Sequence, residues 1–258
     1  QPIAADLKAI ERLRNHGDVA ALVRDWHARG TPVLFGLGVR QDLKDTSRII
    51  AYATQGGLGL PNRDYYTRTD ADSLKLREEY RSHVARMLEL SGIKPRKARK
   101  QADAALAIET RLAAAALPRE ELRDPNKSYN VVTLEAANAA TPAFDWRAFF
   151  ATLGVDGVRD FSLSHPQFFA AMQEELTRTS LKDLKAYLRW HLVNGAAANL
   201  SKRFIDADFA FSGTVLRGQK ALKPRDQRTV EQMNGLLGDP LGQLFVAQHF
   251  PPEAKARM

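Results

Sequence analysis

Long segments with helical periodicity, separated by glycine and proline, dominate the sequence after residue 70 and constrain its fold most strongly. One segment runs to about Leu90 and stops at Gly92. The next runs from about Pro95 to Leu117, is rich in alanine on one face, and ends at Pro118. Small side chains on that face allow a neighbouring helix to approach closely. The pattern predicts a mainly α fold.

Strand-like sequence is confined to a few short stretches. Two apolar runs flank the polar, turn-like residues 41–47, which predicts one small β-hairpin over about 33–54. Residues 155–163 are ambiguous between extended and irregular structure. Because alternating strand and helix units are absent, a parallel-sheet fold is disfavoured. We therefore predict a multi-helix domain that carries one hairpin.

Capping residues indicate where individual helices begin and end. Asp72 or Ser73 is expected to cap the helix that runs to Leu90, and Ser180 the helix that starts after it. The second of these helices is expected to continue, bent near Gly195, until Gly213.

Composition excludes several classes of protein. The chain has 258 residues, of which 44% are apolar and 26% charged, as in an ordinary globular protein. It has no cysteine, so disulfide scaffolds, Cys-ligated zinc sites and thiol catalysis are excluded. No apolar run approaches the ~20 residues that a membrane span requires.

The net charge of +8 is mostly dispersed, and only residues 94–100 form a dense basic cluster. The simplest interpretation is the solvated start of a helix with Pro95 in its first turn. No aromatic residue interleaves these charges, so a base-stacking nucleic-acid platform is disfavoured. The cluster nevertheless supports an alternative function, a stand-alone basic helical module that binds nucleic acid or an acidic protein partner.

No self-contained catalytic or metal-binding constellation occurs in the sequence. The six histidines are dispersed, and none begins the His-Glu-x-x-His spacing that places two imidazoles on one helix face around zinc. Asp206 and Asp208 are only weak candidates for a metal pair, because residues two apart on a helix face away from each other. We therefore predict no catalytic residue, no metal ligand and no cofactor in this chain.

One loop carries a distinctive motif, Gly-Leu-Pro-Asn-Arg-Asp-Tyr-Tyr. It resembles the Gly-Leu-Pro-x-Arg-Asp-Tyr-Tyr signature of the neprilysin and endothelin-converting-enzyme family of zinc metallopeptidases. The matching residues are Gly59, Leu60, Pro61, Arg63, Asp64, Tyr65 and Tyr66.

Further segments resemble the same family in the same order, over about 33–258. They are Ile108–Leu112, Arg123-Asp124-Pro125 with Tyr129-Asn130, Phe144–Trp146, Leu188–Trp190, and Asn234-Gly235 with Leu241–Val246. We predict that these signature residues are structural.

The resemblance implies that residues 1–258 form a single helical lid domain that is not catalytic by itself. The parent enzyme would hold zinc and hydrolyse oligopeptides in a cavity between this lid and its own catalytic domain, and the lid would admit only small peptides. In the family, the zinc ligands lie beyond the stretch matched here. The parent's N-terminal segment and C-terminal catalytic domain are thus predicted to be absent from this chain.

The chain departs from the family pattern near residue 226. Where the family often has tryptophan ahead of basic residues, this chain has Asp226, so Arg225 and Arg228 are only the nearest candidates for contacts in the substrate cavity.

The face that meets the catalytic domain is expected to be apolar and to drive self-association. Lack of the animal members' cysteines suggests a bacterial periplasmic or secreted parent. A third hypothesis is a catalytically dead paralogue that keeps a peptide-binding lid for scaffolding.

Overall fold

The computed structural model describes residues 2–250, 253 and 257, and these form twelve α-helices and one small sheet. The prediction of a mainly α fold is confirmed. The helices are α1 (Ala4–Arg12), α2 (His16–Ala28), α3 (Asp64–Thr67), α4 (Ala71–Leu90), α5 (Pro95–Ala115), α6 (Leu134–Ala140), α7 (Trp146–Thr152), α8 (Pro166–Arg178), α9 (Leu181–Ala196), α10 (Lys202–Asp208), α11 (Arg225–Leu236) and α12 (Gly238–His249).

The predicted hairpin is present and belongs to a larger, four-stranded sheet. Its strands are β1 (Phe35–Gln41), β2 (Ile49–Gln55), β3 (Val131–Thr133) and β4 (Asp160–Leu163), in the order β1-β2-β4-β3. β1 and β2 are antiparallel, β2 and β4 are parallel, and β3 and β4 are antiparallel. The ambiguous segment before residue 163 therefore supplies a central strand, too short for its periodicity to be recognised.

The alanine-rich face of α5 is the contact surface between helices that its composition predicts. Ala98, Ala102, Ala105 and Ala113 are fully buried. Helices α4 and α9 both pack against α5. Small side chains thus bring α4, α5 and α9 close enough for groups on all three to meet, and the candidate site lies at that meeting point.

An aromatic core joins the sheet to α7 and α8. Phe35 of β1 lies 5.3 Å from both Phe144 and Trp146, measured between ring centroids, and Trp146 lies 4.9 Å from Phe161 of β4. Trp146 Nε1 donates a hydrogen bond to Thr141 Oγ1 at 2.7 Å, so its one polar atom is satisfied inside the core. This cluster anchors β1 and β4, the neighbours on either side of β2, and β2 leads into the loop that carries the motif.

Two predicted helix boundaries are corrected. Helix α4 is capped by Asp70, which accepts from the Ser73 amide, rather than by Asp72 or Ser73. The helix that Ser180 caps does not bend at Gly195; it ends at Ala196 and is followed by a 3-10 turn, α10 and a π-helix over Phe209–Val215. The π-helix continues the helical backbone past Gly213, the residue at which the sequence predicts that the helix ends.

The chain forms two compact units, Gln1–Ser212 and Gly213–Met258. The first contains the sheet, α1 to α10 and the aromatic core. The second contains the α11–α12 pair, in which the two helices contact each other. Whether both units act as one lid domain stays a prediction.

Candidate functional site

The signature loop folds back on itself around one tyrosine hydroxyl. The backbone amides of Gly59 and Leu60 donate to Tyr66 Oη at 3.1 and 2.8 Å. Arg63 Nη1 donates to the carbonyl of Ala116 at 2.8 Å and thereby satisfies an acceptor at the end of α5. The motif therefore closes the turn through the Tyr66 hydroxyl and attaches it to the end of α5 through Arg63.

Glu109 of α5 is the centre to which this turn is tied. Its side chain is fully buried. Tyr66 Oη donates to its Oε2 at 2.8 Å, and Tyr80 Oη of α4 donates to the same oxygen at 2.7 Å. Trp190 Nε1 of α9 lies 3.0 Å from Oε1 and donates to it. His191 Nε2 lies 2.9 Å from Oε1 without hydrogen-bond geometry.

The two tyrosines remain hydrogen-bond donors to Glu109 throughout the physiological pH range. Burial, followed by the negative charge of Glu109, holds the pKa of Tyr66 and of Tyr80 well above the usual value near 10. Glu109 and its three donors, Tyr66, Tyr80 and Trp190, form the Glu109 cluster. Because this cluster is buried and its hydroxyls stay protonated, its role is structural. We assign it no part in bond breaking.

Two glycines of the loop are required by close approach. A Cβ on Gly59 would overlap Tyr80 Oη and would lie 3.1 Å from Trp190 Nε1. Gly57 has a φ of +69°, and a Cβ there would lie 2.5 Å from Tyr187 Oη and 2.6 Å from the Leu34 carbonyl oxygen. The loop therefore needs glycine at these two positions for its close contacts with α4 and α9.

An open groove of about 520 Å³ runs beside the loop. It combines two arginines with leucine and proline surface, and Gln55 closes one wall by pairing its side chain with the backbone of Leu117 at 2.7 and 3.0 Å. Such a mixture suits contact with a peptide-like chain. The lining residues are Gln55, Gly56, Gly57, Leu58, Leu60, Pro61, Asn62, Arg63, Ala116, Leu117, Arg119 and Leu122.

The structure therefore brings part of the signature together in one place. Gly59, Leu60 and Tyr66 meet at the Glu109 cluster, and Pro61 and Arg63 line the groove. Asp64 and Tyr65 line a second cavity of about 370 Å³, which shares Asn62 with the groove.

The remaining signature residues lie elsewhere. Arg123 ends a 3-10 turn, and Asp124 caps the next, which begins at Pro125, by accepting from the Asn126 amide at 2.9 Å. These turns lead into β3. Asn234 and Gly235 are exposed in the last turn of α11.

Arg225 and Arg228 lie in the first turn of α11, in the second unit. Arg228 Nε donates to the Lys223 carbonyl at 3.1 Å. A shallow cavity of about 260 Å³ on α11 is lined by other residues of that helix, beginning with Asp226. A role for the two arginines in a substrate cavity stays a prediction.

Sequence reasoning missed most of the groove. Gln55, Arg119 and Leu122 carry no motif of their own, and they line the groove only because β2 and the end of α5 meet there. The one available signal was Pro118, which ends α5 next to exposed carbonyls that a neighbouring arginine can reach.

No three His, Asp or Glu side chains converge on a possible metal site in the part of the chain that the structure describes. His165, one of the buried histidines, is engaged structurally: its Nδ1 accepts from the Gln55 amide at 3.0 Å, and burial lowers its pKa to about 4. The described part of the chain therefore shows no cluster of the three protein ligands that a catalytic zinc site uses. Among the described residues, no helix is long and apolar enough to cross a membrane.

Comparisons with known proteins cover the whole chain. The sequence model of Peptidase family M13 matches residues 1–258. Endothelin-converting enzyme 1 of Cavia porcellus is 29% identical over 234 residues, which are 89% of this chain and 31% of that enzyme.

Solved structures give the same picture. The open-state structure of the Mycobacterium tuberculosis zinc metalloprotease Zmp1 is 31% identical with a TM-score of 0.93, and the match covers 100% of this chain and 40% of that one. PepO of Lactobacillus rhamnosis, 18% identical with a TM-score of 0.84 over 99% of this chain and 40% of its own, shares the fold. The chain thus spans about a third of the length of the curated relatives it matches and 40% of these two structures.

Proposed function

The chain belongs to peptidase family M13, and on that basis we propose that it is the helical lid of a zinc-dependent endopeptidase that hydrolyses oligopeptides. The lid closes one side of a cavity and excludes long or folded substrates, while zinc and the catalytic groups belong to the parent's catalytic domain. The observation that carries the proposal is the family match over 1–258 in a chain whose described residues hold no metal cluster. The share of 31% to 40% of its relatives supports a role as one part of a larger enzyme.

A rigid scaffold beside an open groove suits this role. The Glu109 cluster fixes the loop, α4, α5 and α9 relative to one another within the first unit. The groove of about 520 Å³ next to that loop carries Arg63 and Arg119, which can meet the carboxyl groups and carbonyls of a peptide. A lid that selects substrates by size needs such a rigid surface, because a deformable surface would also admit larger peptides. Oligopeptides are accordingly the proposed ligands of the parent, which we place in the bacterial periplasm or outside the cell.

The division of labour predicts that this chain alone carries no stoichiometric zinc and cleaves no peptide. Elemental analysis and a quenched peptide library measure both properties. A chimera that joins this chain to the rest of the Mycobacterium tuberculosis protease serves as the positive control, and it is expected to bind zinc and cleave short peptides with an altered length limit. Chelator-sensitive cleavage by the chain alone would contradict the proposal, as would a chimera whose length limit equals that of the host enzyme.

The second unit offers a surface for the proposed catalytic domain. Its helices expose a large apolar area, and the exposed fraction reaches 72% for Leu236 and 61% for Phe245. Areas of this kind are uncommon on free surfaces and are typical of interfaces. The exposed apolar residues of α11 and α12 are Val230, Met233, Leu236, Leu237, Leu241, Leu244, Phe245 and Val246.

Because this face is apolar, we expect the chain to self-associate and the double variant Leu244→Ser, Phe245→Ser to weaken that association about tenfold or more. Sedimentation velocity over a concentration series measures the effect. Val39→Ser is the matched control, since Val39 is 69% exposed on β1 of the first unit. Equal association of the double variant and the wild-type chain would remove this surface from the proposal.

A further inference from the structure

β1 is an edge strand of the sheet, since β2 is its one neighbour in the order β1-β2-β4-β3. The Asp42 amide donates to the Arg48 carbonyl at 2.9 Å, which sets the phase of the antiparallel ladder between β1 and β2. Hydrogen-bonded positions alternate along such a ladder, so the even-numbered residues of β1 turn their backbone groups toward β2. The odd-numbered residues turn theirs away, and the open edge thus presents the amides and carbonyls of Leu37 and Val39.

This edge is uncovered and carries apolar side chains. Among the described residues, no hydrogen bond uses the amide or carbonyl of Leu37 or Val39. Val39 is 69% exposed, and Ile49, which the register places on the same face of the hairpin, is 67% exposed. Proteins usually protect a sheet edge of this kind, because its free backbone groups are a template for another strand. The β1 edge is therefore a candidate for strand addition.

Two unpaired cations lie along the β1 edge. Arg40 is exposed, and its guanidinium carbon lies 4.0 Å from the centre of the Tyr52 ring. Lys44, in the turn of the hairpin, lies over the Tyr129 ring at 4.9 Å. Neither side chain forms an ion pair within the part of the chain that the structure describes. A partner with carboxylates would therefore supply the missing opposite charge.

The carboxylates of the hairpin turn leave this charge in place. Asp42 is buried, accepts from Tyr129 Oη at 2.7 Å and lies 3.8 Å from Arg48. Asp45 lies beyond the end of β1 and accepts from the amide and hydroxyl of Ser47 at 3.1 and 2.6 Å. The edge thus favours an acidic strand. It disfavours a second copy of β1, whose residues 35–41 bring an arginine and no carboxylate.

We propose that the β1 edge binds an extended acidic segment of another protein, which adds antiparallel to β1 as a further strand of the sheet. The residues opposite Leu37 and Val39 exchange backbone hydrogen bonds with them, and their side chains extend the apolar face of Val39 and Ile49. The residue opposite Arg40 lies on the other face, where a carboxylate pairs with the guanidinium. The segment that fits best therefore reads acidic, apolar, any, apolar from its N-terminus. β1 contributes no residue to the groove, so the surface is independent of the proposed lid function.

Fluorescence anisotropy of a labelled peptide, Ser-Thr-Glu-Val-Thr-Val-Thr-Ser with both ends blocked, tests the proposal on the whole chain. We expect saturable binding. Lysine in place of glutamate should weaken it at least about fivefold. N-methylation of the two valines removes the N–H groups that face β1 and should weaken binding at least about tenfold. N-methylation of the glutamate and the central threonine, whose N–H groups face away, is the matched control and should have little effect.

A charge reversal tests the register. Arg40→Glu should weaken binding of the glutamate peptide at least about fivefold and should restore tight binding with the lysine peptide. Because Arg40 is exposed, we expect the variant to fold, and its urea unfolding curve checks this. Arg99→Glu, at an exposed position of α5, is the matched control and should change neither affinity.

Hydrogen exchange of the segment 35–41, followed by mass spectrometry, shows whether the edge itself is occupied. The glutamate peptide should make two more amides of this segment exchange slowly, those of Leu37 and Val39. The same segment of the chimera with the Mycobacterium tuberculosis protease should behave alike, open without the peptide and protected with it.

Several results would overturn the proposal. One is the lack of saturable binding up to about 1 mM peptide. Another is an equal effect of the two N-methylated peptides, which would mean that no strand is added. Slow exchange of Leu37 and Val39 in the chimera without peptide would assign the edge to the parent's own chain. Weaker self-association of Val39→Ser than of the wild-type chain would assign it to a second copy.

Discussion

Replacing Gly59 with alanine is expected to destabilise the first unit by at least about 3 kcal/mol, because the added methyl group overlaps a fixed, hydrogen-bonded side chain. The new Cβ would occupy the position of Tyr80 Oη and press on Trp190. Tyr80 cannot move aside without giving up its hydrogen bonds to Glu109, so the substitution combines overpacking with loss of buried hydrogen bonds.

Urea unfolding followed by tryptophan fluorescence measures this effect on the correct unit, since Trp26, Trp146 and Trp190 all lie within residues 1–212. Gly38→Ala is the matched control. Gly38 also lies in the first unit, its φ is not positive, and a Cβ there would meet nothing within 4 Å. A stability change for Gly59→Ala no larger than that for Gly38→Ala would show that the loop tolerates a side chain and that the close approach is not needed.

Removing the Glu109 carboxyl group should lower the free energy of unfolding by about as much as Gly59→Ala does. Glu109→Ala removes the acceptor that Tyr66 and Tyr80 share, leaves Trp190 Nε1 with Tyr80 Oη alone at 2.9 Å, and also opens a cavity. We expect a loss of about 3–5 kcal/mol in the free energy of unfolding. The same fluorescence measurement applies.

A surface glutamate provides the comparison for this variant. Glu120 is exposed in the turn after α5, and Glu120→Ala should change stability by no more than about 0.5 kcal/mol. Tyr66→Phe should fall between the two, because it removes one hydroxyl and leaves two donors on Glu109. A Glu109→Ala variant as stable as the wild-type chain would show that the hydrogen bonds of the Glu109 cluster do not stabilise the first unit.

The helical part of the fold was predictable because its signals are local. The alanine face of α5, the cap at Ser180 and the stop at Pro118 each act within a few residues. By contrast, β3 and β4 have three and four residues, and they are strands only because β4 pairs with β2 on one side and with β3 on the other. Pairing across such distances along the chain leaves no periodicity to recognise.

The candidate site shows the same contrast. The signature motif identifies the loop, and the family resemblance also includes Ile108–Leu112, which contains Glu109, yet nothing in the sequence indicates that the loop, Tyr80 and Glu109 meet. A local hint is that Glu109 stands beside Ile108 on the buried side of an alanine-rich helix, where an unpartnered carboxyl group would be costly. Its partners could be found only once α4 and α9 had been placed on either side of α5.

The order in which a ribosome releases the groups around Glu109 affects how the first unit can be made. Tyr66, Tyr80 and Glu109 emerge early, but Trp190 follows about 80 residues later along the chain, as does the helix face that covers them. Until α9 has been synthesised, the polar cluster and the alanine face of α5 stay hydrated. The nascent chain therefore cannot form a closed core. Folding of this unit should therefore be a late and cooperative event in translation, and nascent chains that stall before α9 are exposed to proteolysis and to chaperones.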